Sequence, residues 1–444
     1  MPPAAGAADA SPTPQQANHA SFPWTWADAA GEGSSRQLWR GHRDAVLTLD
    51  VLSEAGGQAQ SLASGSEDST VRVWDGSTGR TTRCYHGPFG GEAVAAVAFG
   101  DAGRLFAATS TDVFELDLRA PGVVLRESRA KLAGLATDDI NQLSVQRHPR
   151  TGAPKHLAVA DDSGRVTLLD ATVIPPRPFR TLARRGGGEE AMCTCVSFRP
   201  RAQWDLACGF LQQCAVGLWD FGRARCRALD VGAAPPAVCE AEEEDDPTVA
   251  PPSQCFNPPY VHGLAFDASG RHLATALGSG EVLVYEYARA NQPSSNNGVP
   301  LPLARLSGGH ASSVAGVCFL EQQGSLGGEG AGAGAAAGAG DWLRLASVGN
   351  DCVLALWECP AAGAAPAPAS ASAGGRPTPP RVVHRIEGLP GKPNWVVSAP
   401  SPDGGVRVFV ANTTRDIAVF SLRPGEAARQ QEEQGGAAEA DDEA

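Results

Sequence analysis

Long hydrophobic runs are what this 444-residue chain most plainly lacks. No stretch approaches the roughly 18 apolar residues of a membrane-spanning helix, so no helical span is expected. Lysine is scarce as well: Lys131, Lys155 and Lys392 are the three lysines among 36 basic residues. That arginine bias, set in abundant Ala, Gly and Pro, reads as genomic composition. The eleven cysteines contain no C-x-x-C pair and no spacing that would assemble a tetrahedral zinc site. Nucleotide and acyl-transfer signatures are missing too. Gly391-Lys392 lacks the first glycine of a phosphate loop, because Ile386 stands there, and Pro393 replaces the hydroxyl residue. No G-x-S-x-G elbow occurs, and the Gly/Ala run at 327–340 has no complete G-x-G-x-x-G. Catalysis, metal and cofactors are therefore not expected.

Residues 1–33 have neither the apolar core of a secretory signal nor the Arg-rich, acid-poor character of a transit peptide. A cytoplasmic or nuclear location is the expectation. The formal charge is −13, but six acids fall in 240–246 and seven, with one Arg, in 424–444. Outside those two runs the sum is −1, so no broad basic surface for nucleic acid is expected. The acidic loop and tail read as solvated segments.

What is present is a repeat. The pentapeptide Val71-Arg72-Val73-Trp74-Asp75 recurs in degraded form at 113–117, 166–170, 216–220, 282–286, 354–358 and 417–421. Leu, Tyr or Phe takes the place of Trp where it is absent. A second template, apolar at its first, fourth and sixth positions, precedes it at 46–51, 94–99, 140–145, 193–198, 261–266 and 314–319. Short β-branched and aromatic stretches bounded by Gly, Asp and Ser are strands rather than helices. Several strands per unit, repeated seven times, imply an all-β, seven-bladed propeller.

The last acidic positions of the pentapeptides lie 42 to 72 residues apart, against about 40–45 for one blade, so the longer intervals carry insertions. The expected organisation is a flexible extension at 1–34, a propeller at 35–422 with insertions at 236–255, 321–340 and 359–380, and an acidic disordered tail at 423–444. The last blade is one strand short. Residues 36–40, just before Gly41-His42, can supply that outer strand, close the ring and remove an exposed sheet edge. Trp24 and Trp26 are expected to dock on the ring itself. Cysteines at strand positions replace small or apolar residues, as Cys193 does at the place of Val94, Val261 and Val314, and are expected to be buried free thiols.

In blade 1, His42, Ser64, Asp68 and Trp74 fall where a buried hydrogen-bond chain would link a loop, two strands and a turn. Blade 6 repeats the Ser-to-Asp-to-Trp intervals with His310, Ser347, Asp351 and Trp357. The indole N–H only donates, while Ser and His donate and accept, so each set can satisfy itself. The role is structural despite the superficial likeness to a Ser/His/Asp triad. Blade 4 keeps Trp219 but has Gln213 at the Asp position, so its network should be weaker.

These motifs, Gly41-His42 through Trp74-Asp75 and Gly309-His310 through Trp357-Glu358, resemble the WD-repeat family over about residues 35–422. A narrower likeness, to one group within it, is carried by Ala160-Asp161-Asp162-Ser163-Gly164, Val196-Ser197-Phe198-Arg199-Pro200, Phe256-Asn257-Pro258 and Lys392-Pro393-Asn394-Trp395. Leu116-Asp117-Leu118-Arg119 resembles the W-D-x-R box by which many WD-repeat substrate receptors contact the propeller adaptor of cullin-4 ubiquitin ligases; here Leu116 stands in place of Trp. On that resemblance, Asp117 would orient the loop and Arg119 would present its planar donor fork to the adaptor. The implied role is a non-catalytic interaction platform, a substrate receptor for a cullin-4 RING ubiquitin ligase acting on an unknown protein. The alternatives are a general scaffold and a histone- or chromatin-peptide binder. Neither a membrane partner nor nucleic acid is expected.

Overall fold

The computed structural model describes residues 24–25, 36–53, 60–148, 150–184, 191–232, 257–287, 298–320, 342–361, 380–401 and 405–424. They form seven sheets. Blade 1 holds Val46–Ser53, Gln60–Ser66, Thr70–Asp75 and Thr81–His86, numbered from the axis outward and paired antiparallel in chain order. Blades 2 to 6 follow the same meander, with inner strands Ala96–Asp101, Ile140–Arg147, Cys193–Phe198, Val261–Phe266 and Val314–Phe319. The innermost strands touch their neighbours in turn, and that of blade 7, Pro393–Pro400, meets Val46–Ser53.

The apolar 1-4-6 spacing of the inner strands has a geometric cause. In blade 1 Val46 opposes Ser66 and Thr48 opposes Gly65, so one extra residue is inserted before regular pairing resumes at Leu49 and Val51. The bulge stretches one step of the two-residue period to three, and positions 46, 49 and 51 then share a face. The same irregularity follows Ile140, Cys193, Val261, Val314 and Pro393.

A propeller blade cannot bury both faces alone, so the core lies between blades. Among the described residues, buried apolar clusters fill each junction from blades 1 and 2 round to blades 6 and 7. The last, in which Trp39, Val46, Leu49 and Trp74 meet Phe409, Ile417 and Val419, joins blade 7 to blade 1. Each large side chain buried there is worth about 1.5–3 kcal/mol.

Blade 7 contains Pro393–Pro400, Val406–Asn412 and Asp416–Pro424. Arg36–Arg40 pairs antiparallel with its third strand, Leu38 opposite Ala418 and Arg40 opposite Asp416. Trp39 is buried against Trp74, 6.0 Å between centroids, and Phe409, 5.3 Å. Trp24–Thr25 adds a further short strand opposite Arg423 and Pro424. Strand structure thus reaches into both end segments, and Val353–Pro360 runs two residues past the pentapeptide, carrying buried Cys359 into the expected insertion 359–380. Trp26, the acidic run 240–246 and the insertions 236–255 and 321–340 lie outside the described residues, as does most of 359–380.

Blade 1 gains a fifth strand. The loop after Asp117 sends Val124–Leu125 back to pair in parallel with Cys84 and Tyr85 on its outer edge. Of the nine described cysteines, all free, six are buried and Cys214, Cys226 and Cys352 are half-buried.

Candidate functional site

The blade 1 network assembles around a buried serine. Trp74 Nε1 donates to Ser64 Oγ at 2.8 Å, and His42 Nε2 lies 2.7 Å from the same oxygen. His42 Nδ1 is 3.0 Å from Asp68 Oδ2, which also accepts the Arg43 amide. Thr70, unanticipated from the sequence, adds its hydroxyl to Asp68 at 2.6 Å and approaches His42 at 3.2 Å. Burial favours the neutral His42 ring and lowers its pKa, although Asp68 opposes this. Burial alone would raise the Asp68 carboxyl, but the bonds from His42, Thr70 and Arg43 outweigh it and hold it well below the usual range.

Blade 6 repeats the geometry: Trp357 and His310 each reach Ser347 Oγ at 2.7 Å, and His310 Nδ1 lies 3.2 Å from Asp351. Val353 stands where blade 1 has Thr70, so one hydroxyl bond is lost and an amide at 3.3 Å remains. In blade 4 the Trp219 indole donates to Cys208 Sγ at 3.3 Å, and Gln213 takes a bond from Arg184. These groups face the protein interior and each other, an arrangement that fastens loops to strands and offers no reacting atom to a substrate.

Asp117 and Arg119 come together on the opposite rim, where first-to-second and third-to-fourth strand turns emerge. Asp117 Oδ1 accepts the Arg119 amide at 3.0 Å and lies 3.4 Å from Arg119 Nε. The amide bond, aided by the Arg119 and Arg129 charges, keeps the carboxyl below its ordinary pKa. The Arg119 side chain is 67% exposed, while Leu116, in the Trp position, is fully buried. Four residues not expected from the sequence brace this corner. Tyr85 donates to the Asp117 carbonyl at 2.6 Å. Arg129 approaches Asp117 Oδ2 at 3.9 Å. Glu115, buried beside it, pairs with Arg104 at 2.9 Å, and Arg104 in turn donates to the Ala171 carbonyl of blade 3 at 2.8 Å. A carboxylate at a core-facing position of the third strand was the available signal for that pair; Phe106 is directly opposite Glu115, and Arg104 opposes Asp117, so the pair is diagonal.

Among the described residues no group of three or more His, Cys, Asp or Glu is placed to hold a metal, and no helix is long and apolar enough to cross a membrane. Comparison with known proteins agrees with this architecture. Residues 33–75 match the family model described as WD domain, G-beta repeat. Over 255 residues, 57% of the chain, the sequence is 26% identical to the WD repeat-containing protein 53 homolog of Dictyostelium discoideum. The match spans 65% of that protein, just under two thirds of its length. The seven-sheet propeller therefore carries one segment that matches a WD-type repeat, and over part of its length the chain is similar in sequence to that protein.

Proposed function

We propose that this propeller is a substrate receptor for a cullin-4 RING ubiquitin ligase, of the WD repeat-containing protein 53 type, with Arg119 and Asp117 presented to the propeller adaptor. The observation that carries the reading is the exposed Arg119 guanidinium, set by the Asp117 carboxylate on a loop that is itself tied to the edge of blade 1. Fixing the side chain beforehand reduces the ordering cost of binding, and its fork suits carbonyl or carboxylate acceptors. The test is co-purification of the adaptor with wild type and with Arg119→Asp. Loss of the adaptor on charge reversal supports the assignment; retention removes this contact, and no adaptor with either protein leaves a general scaffold.

The pairing of Arg36–Arg40 with the last strand supports reading it as the clasp that closes the ring. Deleting residues 1–40 should then convert a single unfolding transition into a broad one at lower denaturant. A narrow-face histone-peptide site is not adopted, because the described lining of one channel mouth, including Asn141, His262, Asn350, Asn394 and Trp395, holds no carboxylate. The cell compartment assigned is cytoplasm or nucleus, which imaging of the tagged chain would decide.

A further inference from the structure

On the rim that carries Arg119, two blades further round, a groove of about 640 Å³ opens between blades 3 and 4. Its wall is aromatic. Phe221 is fully buried and packs edge-on against Trp204, 5.4 Å between centroids, and against His156, 5.5 Å, while His156 also meets Phe179 at 5.4 Å. Trp204 and Phe179 remain 41% and 46% exposed, which is uneconomical for two large rings on a surface unless something covers them.

The groove is held open by bonds that cross the blade junction. Gln146, on the inner strand of blade 3, donates to the Ala202 and Gln203 carbonyls at 2.9 and 3.2 Å and so fixes the turn that presents Trp204. His156 Nδ1 lies 2.7 Å from Gln146 Oε1, the side-chain amide oxygen. Arg180 donates to the Phe221 and Gly222 carbonyls and pins the opposite turn. A pocket built this way needs little reorganisation to bind.

Its charge selects the partner. Residues 140–232 carry thirteen Lys and Arg against eight Asp and Glu, in a chain whose net charge is −13. The two lining carboxylates are already matched, Asp205 with Arg199 at 3.0 Å and Asp220 with Arg223 at 3.8 Å. Lys155 sits 5.3 Å from the Trp204 ring. Arg201, exposed on the turn before Trp204, is held at φ 60°, a conformation that a non-glycine residue adopts at some cost. Neither Lys155 nor Arg201 has an ion-pair partner among the described residues.

We propose that this groove binds a short acidic peptide segment of a partner protein, which seats one aromatic or large aliphatic side chain between Trp204 and Phe179 and sets its carboxylates against the flanking arginines. A single-stranded nucleic acid would share the rings and the cations. It fits less well, because stacked bases need a track of successive platforms along the strand, whereas here the rings close round one cleft.

The experiment is fluorescence anisotropy of the full chain with a labelled Asp/Glu-rich peptide containing one central Phe, beside the same peptide with Ser at that place and a polyuridine oligonucleotide. The Phe peptide is expected to bind about tenfold tighter than the Ser peptide. Trp204→Ala should cost a similar factor and Trp204→Phe should restore most of it. Arg201→Glu, at an exposed position, should weaken binding and flatten its salt dependence. Equal affinity for the two peptides, indifference to both Trp204→Ala and Arg201→Glu, or tighter binding of polyuridine would overturn the proposal. The site is independent of the ligase reading: Arg119→Asp should leave this binding unchanged.

Discussion

Ser347→Ala is the sharpest probe of what holds the ring together. Ser347 is fully buried, and its hydroxyl is the shared partner of the Trp357 indole and His310 Nε2, both at 2.7 Å. Trp357 and His310 are 1% and 3% exposed, so water cannot replace the lost oxygen without entering the core. Each buried polar group left unpaired costs about 1–3 kcal/mol, so the substitution should remove roughly 2–5 kcal/mol in all. Blade 4 supplies the internal control. There Cys208 Sγ accepts the Trp219 indole at 3.3 Å, and sulfur is a weak acceptor, so Cys208→Ala should cost about 1 kcal/mol or slightly more. Ser347→Cys, which transplants the blade 4 pairing into blade 6, should fall between the two. The assay is urea denaturation followed by tryptophan fluorescence, with hydrogen exchange locating the loosened blade. A Ser347→Ala protein within about 0.5 kcal/mol of wild type, or a Cys208→Ala protein at least as damaged, would refute the argument that these serines are shared hubs.

The remaining expectations concern charge and backbone. Burial lowers the pKa of His42, His156 and His262 below 6.5; the unfolded chain then binds more protons below that pH, so stability should fall as pH drops through 6.5, as urea midpoints at pH 7.5 and 5.5 would show. The depressed carboxyls of Asp68 and Asp351 contribute stability above the ordinary carboxylate pKa that is lost at more acid pH, so the decline should steepen below about pH 4. Glu115→Leu strands the buried Arg104 and should cost about 3–5 kcal/mol, whereas Arg104→Met with Glu115→Leu should recover most of it; equal melting of single and double variants would contradict this. Gly79 adopts φ +68°, and a Cβ there would come within 2.6 Å of the Trp39 indole nitrogen, so Gly79→Ala should destabilise by about 1–3 kcal/mol and loosen the Arg36–Arg40 pairing in hydrogen exchange.

The seven third strands were legible because each repeats a pentapeptide whose apolar positions must reach a neighbouring blade, and a requirement imposed seven times leaves a mark that no single blade could. The 1-4-6 template was equally visible, but its cause, a bulge after Val46 and its counterparts, appears only when the partner strand is in place. Other features left no period to read. Val124–Leu125 is a two-residue parallel strand beyond a Pro-Gly turn, fixed by the edge it meets and not by its own pattern. At the candidate site, Asp117 and Arg119 could be picked out as a local motif. Tyr85 and Arg129 could not, because they converge from an adjacent blade and the returning loop.

The groove between blades 3 and 4 was hidden twice over. Its rings, His156, Phe179, Trp204 and Phe221, are spread over 65 residues of chain and come from two blades, so no motif joins them. Its charge was concealed by summation. A propeller whose formal charge outside two acidic runs is −1 looks neutral, and the sequence argued against a broad basic face. Yet an excess of five positive charges over 140–232 must be offset by acids elsewhere in the chain, because a sum near zero constrains the total and not its placement. Attraction acts over roughly a Debye length, about 8 Å in physiological salt, which is short against the circumference of a seven-bladed ring, so the partner senses the local sign and not the net one. One rim therefore offers two stations of different chemistry, a single exposed guanidinium at blade 2 and an aromatic cleft in basic surroundings at blades 3 and 4. A receptor of the proposed kind, which would bridge an adaptor and an acidic partner, would need that separation.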